Sequence, residues 1–171
     1  MLAKWRRIDT MRLYHGSNTE IDAIDLTRGR RGKDFGQGFY LSANLQQARE
    51  MADTVVDREG EGTPIVTEFE FDDSLITSGT LDVKIFQHYN LEWSRFVRAN
   101  RRNKTEMPLH NHDIVYGPIA DDTIAKQMRL LDMEYIDEER FMQEIQYKEE
   151  TFQYFFGSKK AIAHLIKIGI L

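Results

Sequence analysis

Hydrophobic and polar positions change period several times along the 171 residues, and each change predicts a new element. Arg12 to His15 reads as a first strand and Phe39 to Ser42 as a second, joined by a long connection, Asn18 to Lys33, rich in Asp, Arg and Gly and expected to lie over a cleft. Asn44, followed three residues on by Gln47, is a capping-box signal for a helix carrying Leu45, Ala48, Ala52 and Val55, and Asp57 to Thr63 breaks that pattern. Pro64 to Phe71 then alternates, with Ile65, Thr67, Phe69 and Phe71 against Val66, Glu68 and Glu70, as a half-buried strand does. Trp93, Phe96, Val97 and Asn100 recur at helical spacing within Leu91 to Arg102 and predict a core-facing stripe. Asp113 to Tyr116 reads as a short buried strand closed by Gly117-Pro118, and Asp121 or Asp122 caps a helix bearing Ile124, Met128 and Leu131. Another helix begins at Asp137 and uses Phe141 and Ile145. Phe152 to Phe156 is a last strand stopped by Gly157, and Ser158 caps a C-terminal helix of Ala161, Ile162 and Leu165.

Strands and helices alternate irregularly, which predicts an α+β domain. No strand runs through a Gly-rich turn straight into a helix, and the Gly36-Gln37-Gly38 pair stands in front of a strand, the wrong side for a dinucleotide fingerprint. A Rossmann fold is therefore not expected. Those glycines are read as letting a backbone approach something closely.

Composition narrows the chemistry. At 41% apolar and 30% charged, the chain has the balance of one soluble globular domain. It has no cysteine, so disulfides, thiolate nucleophiles and Cys-ligated zinc are excluded, leaving His, carboxylate and hydroxyl chemistry. A net charge of −5 argues weakly against broad nucleic-acid binding, yet Arg28, Arg30, Arg31 and Lys33 crowd one loop, read either as a flexible surface turn or as a group that steers a diphosphate. No apolar run predicts a membrane span, residues 1–10 are basic without a signal core, and the cytoplasm is the expected compartment. His110-Asn111-His112-Asp113 is read as a loop rather than a metal site, because adjacent residues rarely converge on one ion.

Four segments carry a resemblance: Leu13-Tyr14-His15-Gly16-Ser17; Asp34-Phe35-Gly36-Gln37-Gly38-Phe39-Tyr40-Leu41-Ser42 with the following Gln47-Ala48; Asp113 through Asp122; and Phe152-Gln153-Tyr154-Phe155. Together they resemble the ADP-ribosyltransferases of the diphtheria-toxin and poly(ADP-ribose) polymerase type, and within that class a group of small bacterial proteins. The resemblance implies an ADP-ribosyltransferase fold, with split mixed and antiparallel sheets around an NAD cleft and flanking helices, over residues 11–171, with 1–10 as an N-terminal extension and Met11 as an expected start.

It also implies roles. His15 would hydrogen-bond a ribose hydroxyl of NAD, and Gly16 would offer main-chain N–H and C=O to the nicotinamide carboxamide, where a Cβ would push the ring away. Tyr40 would stack on nicotinamide. Gln153 falls where related enzymes generally carry Glu; a neutral amide keeps the hydroxyl contact but loses the charge that offsets an oxocarbenium ion. The catalytic set is thus His15, Tyr40 and Gln153. The NAD-binding set adds Gly16, Ser17, Arg28, Arg30, Arg31, Gly38 and Phe39. Glu144, Glu149 and Glu150 are rivals for the missing carboxylate, read as surface residues.

The implied activity is NAD-dependent mono-ADP-ribosylation of a protein or nucleic acid, with NAD as substrate and no metal, in a bacterial toxin or phage-defence setting with an antitoxin partner and no membrane. The alternative is a catalytically weak NAD- or ADP-ribose-binding sensor. A third reading, an NAD glycohydrolase, is disfavoured because activating water calls for a base, which Gln153 is not.

Overall fold

The computed structural model describes residues 9–171; most of the N-terminal extension, residues 1–8, lies outside them. Among the described residues, seven strands form two sheets. The first is antiparallel, in the order β1 (Thr10–Ser17), β3 (Ile65–Asp72), β7 (Ile166–Ile170). The second is mixed, in the order β2 (Phe39–Leu41), β6 (Phe152–Phe156), β5 (Ile114–Pro118), β4 (Val83–Ile85), with only β4 and β5 parallel. The α+β architecture is what the alternating patterns predicted, and antiparallel and mixed sheets are what the resemblance implied.

Alternation along each strand sets the layers. Leu13, Phe69 and Phe71 of the first sheet meet Phe39, Leu41, Ile114 and Phe156 of the second in one apolar core between the sheets. The other face of the second sheet carries Val115 and Phe155, covered by α2 (Leu91–Arg102), α3 (Asp122–Asp132) and α4 (Glu138–Ile145) through Trp93, Val97, Ile124, Met128, Phe141 and Ile145. Helix α1 (Leu45–Glu59) lies on the outer face of the first sheet, where Ala48 and Ala52 pack on Val66. That helix explains why Val66 is buried although the strand pattern put it on the polar side. Buried Trp93 donates its indole N–H to the Pro118 carbonyl at 3.0 Å, tying α2 to the end of β5.

The caps fall where the sequence placed them, with Asn90 as an addition. Asn44, Asn90, Asp121, Asp137 and Ser158 each accept a main-chain N–H three residues on. Two expectations change. Gln47 does not complete a capping box; its amide donates to the Phe152 carbonyl at 3.0 Å, joining α1 to the start of β6. The Ser158-capped helix, α5 (Lys159–Ile162), is a single turn, and the chain beyond it becomes β7 rather than more helix.

Candidate functional site

β1 and β2 belong to different sheets and touch through one bridge. Tyr14 and Ser42 exchange both main-chain hydrogen bonds, at 2.8 and 2.9 Å. Beyond that joint the strands part, with His15 and Gly16 on one side and Leu41 and Tyr40 on the other. Strand alternation decides which groups face the gap. Val66 pairs with Leu171 rather than with its register partner Gly16, so the N–H and C=O of Gly16 point the same way as those of Tyr14, toward β2.

Nδ1 of His15 crosses the gap to the carbonyl of Tyr40, 2.7 Å away. An N–H at Nδ1 leaves Nε2 as an acceptor. The imidazole stacks on Phe39, with centroids 4.3 Å apart and planes 25° from parallel, and loss of water there holds its pKa down to about 4, with the nearby Lys33 charge acting in the same direction. The ring is therefore neutral at pH 7.

Tyr40 points to the opposite face of β2 from Phe39. Its hydroxyl donates to the Gly36 carbonyl at 2.7 Å and accepts from the Phe35 N–H at 3.0 Å, and burial raises its pKa well above the usual value. The ring packs edge-on against Phe155, and Nζ of Lys33 stands 4.1 Å from its centroid. Burial draws the Lys33 ammonium down to about 8, opposed by Asp34 and assisted by Arg58 and Arg30.

Gln153 lies two residues before Phe155 and so shares the Tyr40 face of the second sheet. Its amide donates to Oδ2 of Asp34 at 3.1 Å. Asp34 is 6% exposed, and its carboxylate also accepts from Arg101 Nε at 2.7 Å and from the Ala120 N–H at 3.0 Å. Tyr40 and Gln153 thus share one face of the second sheet, beside Lys33 and Asp34, whereas the His15 ring lies on the Phe39 face and meets Tyr40 through its main-chain carbonyl.

The other expected binding residues divide. Ser17 is half-buried at the end of β1, within 3.4 Å of the Asn18 side chain. Phe39 is a core ring whose contact with the site is its stack on His15. Gly38 is needed for a close approach, but by the protein itself: a Cβ there would come 2.3 Å from the Phe155 ring and 2.8 Å from the Phe156 carbonyl. A Cβ at Gly16 would meet the Ala48 carbonyl of α1 at 1.9 Å, so its bareness admits the helix and not a ligand ring, while its main-chain edge is what faces the gap. Arg28 and Arg30 are exposed in the loop, and Arg30 is close enough to be felt at Lys33. Arg31 turns away, pairing with Glu106 at 3.0 Å and lining a cavity of about 380 Å³ with Asn100, His110 and His112.

His110 and His112 serve the loop they sit in, one bonded to the Phe35 carbonyl at 2.7 Å and the other to Asp82 at 3.1 Å. Of the rival carboxylates, Glu144 pairs with Arg140, Glu150 accepts from the Tyr89 N–H at 2.8 Å, and Glu149 is exposed. Sequence reasoning quoted Asp34 but gave it no role. A carboxylate set directly before Phe-Gly in an otherwise buried motif was the available signal.

Two β-sheets that share one bridge and part around a polar cluster define the class of architecture. The chain belongs to the family described as protein of unknown function (DUF3990), whose model matches residues 11–167. No curated protein and no solved structure matches it. Among the described residues, no helix is long and apolar enough to cross a membrane.

Proposed function

We propose that the chain is an NAD-dependent mono-ADP-ribosyltransferase with the split-sheet fold of that class. The observation that carries the reading is the gap between β1 and β2. There the main-chain N–H and C=O of Gly16 face Tyr40 across the parted strands, and the neighbouring imidazole is held by the Tyr40 carbonyl at 2.7 Å. An adjacent donor and acceptor suit a carboxamide, and a neutral imidazole with Nε2 as acceptor suits a ribose hydroxyl. Gln153, on the same face as Tyr40, offers its amide oxygen to the nicotinamide ribose.

In this reading the bond from ribose C1′ to the pyridinium nitrogen breaks, and nicotinamide leaves with the electron pair as a neutral molecule. A lone pair of the acceptor, a protein or nucleic-acid group, forms the new bond to C1′ and releases its proton to solvent. Arg30 favours the diphosphate electrostatically. A neutral residue at 153 gives little help to water as nucleophile, so transfer to one macromolecular site is favoured over hydrolysis and over polymer growth. A bacterial toxin held by an antitoxin protein fits that activity.

The test is release of nicotinamide from NAD, followed by mass spectrometry of macromolecules from a cell extract. A mass increase of one ADP-ribosyl group that disappears in His15→Ala supports the reading. Stoichiometric NAD binding without nicotinamide release leaves the second reading, a sensor for NAD or ADP-ribose, which draws its support from the Lys33 ammonium already lying over the Tyr40 ring.

A further inference from the structure

Asp34 and Gln153 are 119 positions apart, yet the amide of one ends on the carboxylate of the other. We infer that Asp34 is a positioning residue for Gln153: it captures the NH₂ end of the amide and so fixes Oε1 as the acceptor turned toward substrate. The inference rests on the transferase reading and adds to it the group that orients the third site residue.

A primary amide has a donor end and an acceptor end, and rotating it by half a turn exchanges them. A ribose hydroxyl that donates its proton needs the oxygen. Ionised carboxylates accept only, so an amide beside Asp34 has one favourable orientation, NH₂ toward the carboxylate. All three groups around Asp34, Arg101 Nε, the Ala120 N–H and Gln153 Nε2, are donors, which suits an ionised carboxylate and leaves no opening for a flipped amide.

The carboxylate is itself rigidly held. Arg101 donates to Oδ1 of Asp34 and, through Nη2, to the Ala120 carbonyl at 2.9 Å, while the Ala120 N–H donates to Oδ2, so α2 and the β5–α3 connection grip it from two directions. The Arg101 guanidinium balances the Asp34 charge, and what reaches Gln153 is orientation more than field. The arrangement also limits what a carboxylate at 153 could do: placed against Asp34, two like charges share one site and one of them keeps its proton.

The experiment is a double-mutant cycle on NAD cleavage, with Asp34→Asn, Gln153→Ala and the pair, each measured for kcat, KM and urea stability. Asp34→Asn is expected to lower kcat by about tenfold with KM nearly unchanged, in the range of a displaced site group. In the Gln153→Ala background it should change kcat by less than about twofold, because it acts through Gln153. Equal losses in both backgrounds overturn the inference. Gln153→Glu gives a second readout that survives misfolding of the Asp34 variant. Its pH–rate profile should show a group titrating above the ordinary carboxylate range, and titration near the usual value of about 4.3 overturns the inference as well. A wild-type protein that neither binds NAD nor releases nicotinamide ends the transferase reading and this inference with it, whereas wild-type turnover with additive variants ends this inference alone.

Discussion

The ammonium of Lys33 lies over the ring of Tyr40, 4.1 Å from its centroid, on the aromatic surface that a nicotinamide would use in the proposed reaction. The contact is intramolecular, and it joins the loop after Arg31 to β2. The pyridinium of NAD is also a flat cation, so ligand and Lys33 compete for the same π face. With its pKa near 8, Lys33 is the group in this cluster that changes charge just above neutrality.

Lys33→Met is therefore expected to lower KM for NAD several-fold or more at pH 7, with kcat changed less, because a cation–π contact is worth about 0.5–1 kcal/mol when exposed and about 2 kcal/mol or more when desolvated. In the wild type, KM should fall as pH rises from 7 to 9 and Lys33 loses its proton; in the variant that slope should vanish. Initial-rate kinetics across this range check both. A KM that rises in Lys33→Met means that the ammonium binds the diphosphate instead of guarding the ring.

His15 makes a prediction about stability. Its folded pKa, about 4, lies below its ordinary 6.5, so the unfolded chain takes up the proton first and acidification favours unfolding. The stability from neutral His15 is complete above pH 6.5 and lost as pH falls through 4, an effect of up to about 3 kcal/mol. His15→Asn does not titrate. Its urea midpoint should fall less than that of the wild type between pH 6.5 and 4, and parallel curves would show that the imidazole charges without cost in the folded protein.

Gly16→Ala should destabilise strongly. The added methyl would overlap the Ala48 carbonyl of α1, a backbone atom that cannot swing aside as a side-chain tip can. Overpacking of this kind costs about 1–3 kcal/mol, and more where main chain must move. Gly169→Ala is the control, since a Cβ there meets nothing within 4 Å. Thermal unfolding of the two variants separates helix–strand packing from any general intolerance of alanine in strands.

What the sequence showed and what it hid follow from the range of the interactions. Helix starts at Asn44, Asn90, Asp121, Asp137 and Ser158 were legible or nearly so because a cap reaches only three residues. Of these, Asn90 alone had not been named, although its helix had. β4, three residues long, and β7, an alternation of Ile with Lys and Gly after a helical cap, lacked a pattern long enough to outweigh their neighbours. His15, Tyr40 and Gln153 were singled out by motif. Asp34 was not, because its partners Arg101, Ala120 and Gln153 come from three distant segments and only the folded chain unites them. Gln47 misled for the same reason: locally it looks like a box partner, and the fold gives its amide a better acceptor in Phe152.

Arg30 and Arg31 are adjacent in sequence but serve different surroundings, which separates two substitutions that the sequence could only treat together. Arg31 is held by Glu106 beside the Asn100 cavity, whereas the charge of Arg30 reaches Lys33 at the Tyr40 ring. A cation near the diphosphate contributes to binding in ground state and transition state alike, so its loss appears in KM with kcat unchanged. Arg30→Ala is thus expected to raise KM for NAD by about three- to tenfold, as an exposed charge-assisted contact allows, and the effect should shrink with added salt. Arg31→Ala should leave both constants within about twofold. Equal effects of the two variants would mean that the loop turns both side chains to the same ligand, and a loss confined to kcat in Arg30→Ala would remove the diphosphate from its role.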